Sequence, residues 1–209
     1  MQLPNFSRRP LIGAAVLACA AALMPAAAFA GPAAPASWKI AKTVLGSNSP
    51  SFNAITAIGP HSAWAFESSS SKPVARRLSG SRWTQVRFPG KAGEIVTSAV
   101  STSPDDVWAV ESNGVSGNGA RQRVLSWNGT GWAVTAGSFP DGLSDVVPLS
   151  LHDAWFFDGL TPGGATWHYN GHRWSRVPSG TGLTDGSALS PHSIWAISAT
   201  EVAHWNGHA

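Results

Sequence analysis

Histidines are the first candidates for metal or acid–base chemistry in this 209-residue chain, which contains seven of them. His61, His152 and His192 each stand three residues before a tryptophan, at one position of a repeated segment whose remaining copy carries Asp105. Zinc needs ligands that converge on one point, whereas equivalent positions of a repeat are spread apart. Polar side chains that bond the backbone of a tight turn explain this recurrence. The sequence therefore predicts no metal site and no cofactor here.

A second pair of histidines has a spacing that zinc ligands adopt on a helix. His168 and His172 stand four residues apart, but they bracket Asn170-Gly171, which is a turn signal. His168 and His204 share one position on a predicted strand. We predict that these histidines, too, bind no metal.

The acidic residues show no sign of a catalytic pair. A glycosidase needs two carboxylates that converge on one bond, and no serine stands in the Gly-x-Ser-x-Gly context of a hydrolase nucleophile. Most of the aspartates instead fall in predicted turns: Asp105, Asp106, Asp141, Asp145, Asp153 and Asp185. We therefore assign no catalytic residue.

The elements that carry these residues repeat around a tryptophan. Four similar segments occupy residues 60–66, 104–110, 151–157 and 191–197, and their tryptophans step along the chain by 44, 47 and 40 residues. Two residues before each tryptophan stands a short polar side chain that can bond the backbone of a turn. These residues are Ser62, Asp106, Asp153 and Ser193.

A glycine turn closes the next strand of every copy. The turns are Ser79-Gly80, Asn128-Gly129, Asn170-Gly171 and Asn206-Gly207. Asn-Gly is a strong two-residue hairpin signal, because both residues tolerate positive φ. A fourth strand begins just beyond, with a second series of tryptophans that steps by 45, 49 and 42 residues. This series contains Trp38, Trp83, Trp132 and Trp174.

Four-stranded units at this period predict an all-β protein, a β-propeller of antiparallel blades. The predicted blades occupy residues 54–89, 96–140, 145–178 and 185–207, with 38–45 as a lone fourth strand. Helix is not expected, because no long apolar stripe has a 3.6-residue period. A β-sandwich and an up-and-down barrel are the alternatives, although neither requires a repeated strand set.

The repeat is similar to a known type of propeller unit. Ser-Pro-Asp-Asp-Val-Trp-Ala-Val at 103–110 and Ser-Trp-Asn-Gly-x-x-Trp at 126–132 resemble the tectonin-type and kelch-like repeats of secreted actinobacterial proteins. The resemblance covers the chain from Trp38 onward. The repeated unit lacks the Gly-Gly pair of kelch blades, the Asp box of sialidases and the Trp-Asp ending of WD repeats. The resemblance thus implies a propeller fold and says less about activity.

Aromatic residues of the third strands are the candidate ligand-binding residues. The resemblance includes lectins, and aromatic faces suit sugar rings, so carbohydrate is the first ligand expected. The candidates are Trp127, Trp167, Tyr169 and Trp205. Packing between blades is the alternative role for these four residues. A packing role is what we expect for the repeat tryptophans themselves: Trp38, Trp64, Trp83, Trp108, Trp132, Trp155, Trp174 and Trp195.

The first 30 residues are predicted to be a signal peptide. Arg8 and Arg9 precede an apolar run, and Ala28-Phe29-Ala30 offers a cleavage site. The pair of arginines also fits twin-arginine export, and acylation of Cys19 as a lipoprotein is a minor alternative. A Pro/Ala tether follows at 31–37. The apolar run is too short to span a membrane, so we expect a secreted protein.

Removal of the leader takes away most of the net charge. Without Arg8 and Arg9, 12 basic residues stand against 11 acidic ones. Nucleic-acid binding needs a basic patch and is not expected; the partners expected are an extracellular glycan or protein. The basic clusters are predicted to be solvated strand faces. They contain Arg76, Arg77, Arg82 and Arg87, and Arg121 with Arg123.

The two ends of the repeat region leave the size of the ring open. The last repeat stops at Asn206-Gly207, before a fourth-strand tryptophan, while 38–45 has no strands of its own. Residues 38–45 could close a four-bladed ring, or the repeats could belong to a larger propeller. The predicted function is a secreted, non-catalytic binding or scaffold module. The alternative is an extracellular carbohydrate-active hydrolase, lyase or oxidase whose active residues lie in blades absent from this chain.

The leader assignment makes a direct prediction about the exported protein. We expect its N-terminal residue to be Gly31, because Ala28-Phe29-Ala30 is the processing site. Edman sequencing together with intact-mass determination measures this. A lipid-modified N-terminus at Cys19 would contradict the assignment.

Overall fold

The computed structural model describes residues 39–43, 50–68, 71–115, 120–139, 142–143, 145–159 and 165–208. The chain divides into two compact units, Met1–Lys39 and Ile40–Ala209. Only Lys39 of the first unit is described, so the predicted leader and tether lie outside the described residues. All strands of the described residues belong to the second unit.

Fifteen antiparallel strands, and no helix, form the described part of the second unit. Three sheets have four strands each and one has three, and every sheet is built from strands that follow one another in sequence. This confirms the predicted propeller-like blades. Blade 1 contains β1 (Ser51–Gly59), β2 (Ser62–Ser68), β3 (Val74–Ser79) and β4 (Arg82–Val86). Blade 2 contains β5 (Ile95–Ser103), β6 (Asp106–Ser112), β7 (Gln122–Trp127) and β8 (Trp132–Phe139).

Blade 3 contains β9 (Asp145–Ser150), β10 (Asp153–Asp158), β11 (Ala165–Tyr169) and β12 (Trp174–Pro178). Blade 4 contains β13 (Asp185–Ser190), β14 (Ser193–Ile197) and β15 (Val202–Trp205).

The blades pack side by side in chain order. The first strands of successive blades lie against one another, β1 on β5, β5 on β9 and β9 on β13. Blades 1, 2 and 3 each bury the side that carries the repeat tryptophan against the next blade. We call this side the forward face and the opposite side the rear face. Residues 39–43, within the predicted lone strand, are not in a strand, and Trp38, Val44 and Leu45 lie outside the described residues.

The seams between blades are the hydrophobic core. Trp64 on the forward face of blade 1 packs against Trp127 and Trp132 of blade 2, with ring centroids 4.9 and 5.2 Å apart. Trp108 of blade 2 packs in the same way against Tyr169 and Trp174 of blade 3. Three separate clusters result, one for each seam. Because a single blade cannot bury both faces, stability comes from these seams.

The Asn-Gly turns differ from the two-residue hairpins expected from the sequence. Gly129 and Gly171 have positive φ, as predicted, but the connection between β7 and β8 has four residues. The Asn128 side-chain oxygen accepts the backbone N–H groups of Thr130 and Gly131. The asparagine therefore stabilises a longer turn through its side chain, which needs no positive φ at that residue.

Glycine is required in these turns for a second reason. A Cβ at Gly171 would stand 3.0 Å from the Cβ of His152, which lies in the first turn of the same blade. The two turns at this end of the blade therefore pack directly on each other. The same contact recurs between Gly207 and His192, so two of the three recurrent histidines occupy a packing position of the turn, whereas a Cβ at Gly80 would meet no atom of His61 within 4 Å.

Trp108 tests the blade assignment. It is fully buried, and its indole N–H donates to Asp106 at 2.8 Å. We expect Trp108→Ala to lower the free energy of unfolding by about 3 to 5 kcal/mol, the usual cost of deleting a buried large aromatic side chain. Urea unfolding at low protein concentration measures this.

Trp195 is the matched control. It occupies the same repeat position but is 49% exposed, so Trp195→Ala should cost less than about 1 kcal/mol. Equal losses for the two variants would contradict the assignment of forward faces to seams.

Candidate functional site

A cleft of about 170 Å³ lies in the seam between blades 3 and 4. Trp155 and Phe157 of blade 3 form one wall, and Ala203 and Trp205 of β15 form the other. Trp155 and Trp205 contact each other with ring centroids 5.0 Å apart. An apolar cavity of about 150 Å³ accepts a benzene molecule, so this cleft is large enough for one aromatic ring.

The other two seams show what such a space holds. In the first seam Trp132, on the fourth strand of blade 2, contacts Trp64, Phe66 and Trp127. The walls of the cleft, Trp155, Phe157 and Trp205, are the equivalents of those three residues.

In the second seam Trp174 on β12 fills the corresponding space, with its ring 4.6 Å from Phe156 and 4.8 Å from Tyr169. The cleft thus takes the place of a fourth-strand tryptophan. In the described part of blade 4, β15 is the last strand of the sheet, so the cleft opens beside the free edge of that strand.

The polar side chains around the cleft already have partners. Thr166 donates its hydroxyl to the Val177 carbonyl at 2.8 Å, and Ser179 donates to the Thr181 carbonyl at 2.6 Å. The Trp205 indole N–H donates to the Pro191 carbonyl at 3.0 Å. Few hydrogen-bond donors therefore point into the cleft, and its chemistry is mainly that of an aromatic and aliphatic surface.

The four predicted sugar-binding aromatics all lie at seams. Trp127 is only 5% exposed and packs on Trp64. Trp167 contacts Phe139, and Tyr169 lies against Trp108 while its hydroxyl donates to the Gly171 carbonyl. Trp205 is the member of the set that lines the cleft. A sugar-binding role for these residues stays a prediction.

The histidines of the third strands cover the repeat tryptophans. His168 stacks on Trp155 at 4.5 Å and bonds the Asp153 carboxylate at 2.9 Å, and His204 lies over Trp195 at 4.3 Å. Arg77 occupies this position in blade 1, with its guanidinium 5.6 Å from the Trp64 ring centroid.

The residues that the structure describes contain neither a cluster of metal ligands nor a membrane-spanning helix. No group of three or more metal-ligating side chains comes together within the described ranges. No helix in them is long and apolar enough to cross a membrane.

A buried ion cluster lies between blades 1 and 2, where sequence reasoning expected a solvated strand face. Arg123 is buried and pairs with Glu111 and Glu94. Burial raises the pKa of the Glu111 carboxyl, whereas the hydrogen bond from Arg123 and the Lys91 N–H at 2.8 Å lower it. The prediction was wrong for Arg123 because β7 is covered by the loop that joins the blades. Glu111 shares its repeat position with Glu67, which pairs with half-buried Arg76; this shared position was the signal available in the sequence.

Asp145 and Asp185 bring two carboxylates together at the first strands of blades 3 and 4. The pKa of Asp145 is raised from 3.8 to about 6, mainly by burial and also by the neighbouring Asp185, whereas the N–H groups of Val146 and Gly186 lower it. The Gly186 N–H lies 3.3 Å from the Asp145 carboxylate. The protonation state of Asp145 is therefore expected to affect the stability of the contact between blades 3 and 4.

Comparison with known proteins supports the fold. No protein-family model and no curated protein matches the chain. YCF48, solved bound to D1 peptide, is 12% identical with a TM-score of 0.52, over 78% of this chain and 51% of the YCF48 chain. The protein thus spans about half the length of YCF48.

Two further solved structures are more distant. A catalytically inactive virginiamycin B lyase from Staphylococcus aureus, solved with quinupristin, is 13% identical with a TM-score of 0.34 over 78% of this chain and 72% of its own. SapL1 lectin in complex with alpha methyl fucoside is 14% identical with a TM-score of 0.33 over 76% and 77%. Both scores are below 0.5, so no argument rests on these two structures, whereas the similarity to YCF48 supports a β-propeller-like fold.

Asp145 predicts a pH dependence of stability. Its folded pKa of about 6 exceeds its ordinary value of 3.8, so the folded state binds a proton more tightly than the unfolded state. The free energy of unfolding should fall as pH rises from about 4 to about 6. Asp145→Asn should remove this part of the slope, as measured by urea unfolding across that pH range.

Asp185→Asn is the companion variant. It removes the neighbouring negative charge but leaves the Asp145 carboxyl in place, so the slope should become smaller without disappearing. An unchanged slope in Asp145→Asn would contradict the assignment.

Proposed function

We propose that the protein is a non-catalytic binding module that acts outside the cytoplasm and binds an extended polypeptide segment at the free edge of blade 4. An aromatic side chain of the bound segment would enter the cleft between Trp155 and Trp205. The observation that carries the proposal is that this cleft takes the place of a fourth-strand tryptophan.

The edge of β15 supports the backbone part of the proposal. A strand edge presents unpaired N–H and C=O groups, and an extended peptide can pair with them by strand addition. β15 pairs with β14 on one side, from Val202 with Ile197 to Trp205 with Ile194. Its other side is free in the described part of the sheet. Backbone pairing gives affinity, and a pocket for alternate side chains gives specificity.

The cleft supports the aromatic part of the proposal. Its walls are mainly apolar, and the hydroxyls of Thr166 and Ser179 already donate to backbone carbonyls. A sugar ring needs several hydrogen bonds to replace its hydration, whereas an aromatic side chain gains from burial alone. YCF48, a neighbour with a TM-score of 0.52, was itself solved with a peptide, which is consistent with this class of ligand.

Carbohydrate is the second candidate ligand. Trp205 lines the cleft, and an aromatic face can stack on a sugar ring. This expectation comes from the tectonin-like and kelch-like resemblance of the repeats. The expectation that the protein is secreted rests on the predicted leader at 1–30. The enzyme alternative, with active residues in blades absent from this chain, also stays a prediction.

The chain itself supplies the probe for a binding experiment. A synthetic peptide that copies residues 172–178, from the fourth strand of blade 3, carries the tryptophan and register that the cleft would accept. We expect saturable binding by fluorescence anisotropy. The same peptide with its tryptophan replaced by serine should bind at least about 10-fold more weakly, because the aromatic ring supplies most of the apolar burial.

A pair of variants on β15 makes the test specific for the cleft. Ala203→Phe fills the cleft and should abolish binding, while Val202→Phe places the same ring on the opposite side of the strand and should not. Equal affinity for the tryptophan and serine peptides would contradict the proposal. Binding of glycans on an array without any peptide binding would favour carbohydrate.

A further inference from the structure

Both terminal faces of the row of blades expose apolar side chains. The forward face of blade 4 carries Trp195, Ile197 and Val202, which are 49, 45 and 70% exposed. The rear face of blade 1 carries Ile55, which is 68% exposed, and half-buried Trp83. Such residues would be core if another blade covered them.

The repeat shows what kind of surface covers a forward face. Trp64, Trp108 and Trp155, the equivalents of Trp195, are buried by the rear face of the following blade. The rings that contact these tryptophans lie on the third and fourth strands of the following blade. In the first seam they are Trp127 and Trp132.

On blade 1 the equivalent residues of the rear face are Leu78 and Trp83, which pair across β3 and β4. Blade 1 therefore offers the surface that the forward face of blade 4 requires.

Side-chain sizes match at the terminal faces as well. In the third seam Phe157 lies so close to Gly186 that a Cβ there would collide with its ring. In the second seam two medium residues, Val110 and Val146, share one cluster.

The position of Phe157 is held by Ile197 in blade 4, and the position of Gly186 is held by Ile55 in blade 1. A medium residue on one face thus meets a medium residue on the other, as in the second seam.

We propose that two copies of this chain associate head to tail, with the forward face of blade 4 in each copy packed on the rear face of blade 1 in the other. The pair forms two identical seams and closes an eight-bladed ring. This is a heterologous contact that a two-fold rotation closes. The inference is independent of the proposed function, because it uses the outer side of blade 4 and not the cleft.

The surroundings of the blade 1 face allow this contact. The charge of Arg76 is neutralised by Glu67 at 2.6 Å. Residues Ile40–Lys42 border a groove over Phe52, Ile55 and Trp83, but Ile40 is 86% exposed and is not packed into the face. The segment would shift or add its own apolar side chain to the seam.

Sedimentation equilibrium of the exported protein measures the association. We expect twice the mass of one chain, with no larger species. Trp195→Asp and Ile55→Asp should each raise the dissociation constant at least about 30-fold, because each removes an apolar anchor from both seams. Val115→Asp, at an exposed apolar residue between β6 and β7 of blade 2, is the matched control and should dimerise like the unchanged protein.

A mixing experiment separates this arrangement from a contact between identical faces. A mixed pair of Trp195→Asp and Ile55→Asp chains retains one intact seam, so it should associate more tightly than either variant alone, as measured by energy transfer between labelled chains. Urea unfolding at low concentration should be similar for both variants, because the residues are exposed.

Four outcomes would overturn the proposal. They are a monomer at all concentrations, dimers that ignore Ile55→Asp, open-ended polymers, and no gain in affinity on mixing. A monomer that still binds the strand peptide would leave the proposed function intact, and a dimer that does not bind it would leave this inference intact.

Discussion

Aromatic packing between neighbouring blades is the interaction on which the structure depends. Each sheet is only a few strands wide and has two faces, and one sheet alone cannot keep both out of water. Trp64, Trp108 and Trp155 each cross the gap to the next blade and meet its aromatic residues within about 6 Å. The order of the blades, the burial of β6 and the position of the cleft all follow from that contact.

The polar residues around each tryptophan hold its ring in place. Asp106 accepts the Trp108 indole N–H, and Arg77, His168 and His204 lie over the rings that their strands pair with. These cross-strand pairs stabilise a sheet on one face, and a cation or imidazole suits the face of an indole. Residue types that suggest catalysis in a sequence serve here as covers for an aromatic core. His168 and Asp153 show this, since their hydrogen bond lies directly beside Trp155.

The fold could be predicted because its signals are local and repeated. Each copy of the repeat shows alternating strands, a glycine after the third strand and a tryptophan about every 44 residues. A strand that is misassigned in one copy can therefore be corrected by comparison with the other copies. Burial of single charged residues could not be predicted. Arg121, just before β7, and Arg123 on β7 have the spacing of a solvated strand face, but Arg123 is covered by the loop near Pro89 and Gly90 that joins blades 1 and 2. The cleft could not be predicted from the sequence either, because its size depends on how closely β15 packs against Trp155 of the neighbouring blade.

The free-energy balance of the seams explains why a terminal blade is the place to look for partners. Burying a large aromatic side chain contributes a few kcal/mol, while association costs roughly 4 to 15 kcal/mol in lost freedom. Within one chain that cost is already met by the covalent linkers, so each seam adds its full contribution to stability. Between separate molecules a single seam must overcome the cost alone, whereas two seams formed in one ring share it. A face such as that of Trp195 and Ile197 is therefore a weak contact by itself and becomes an effective one when the opposite face of the same pair is engaged at the same time.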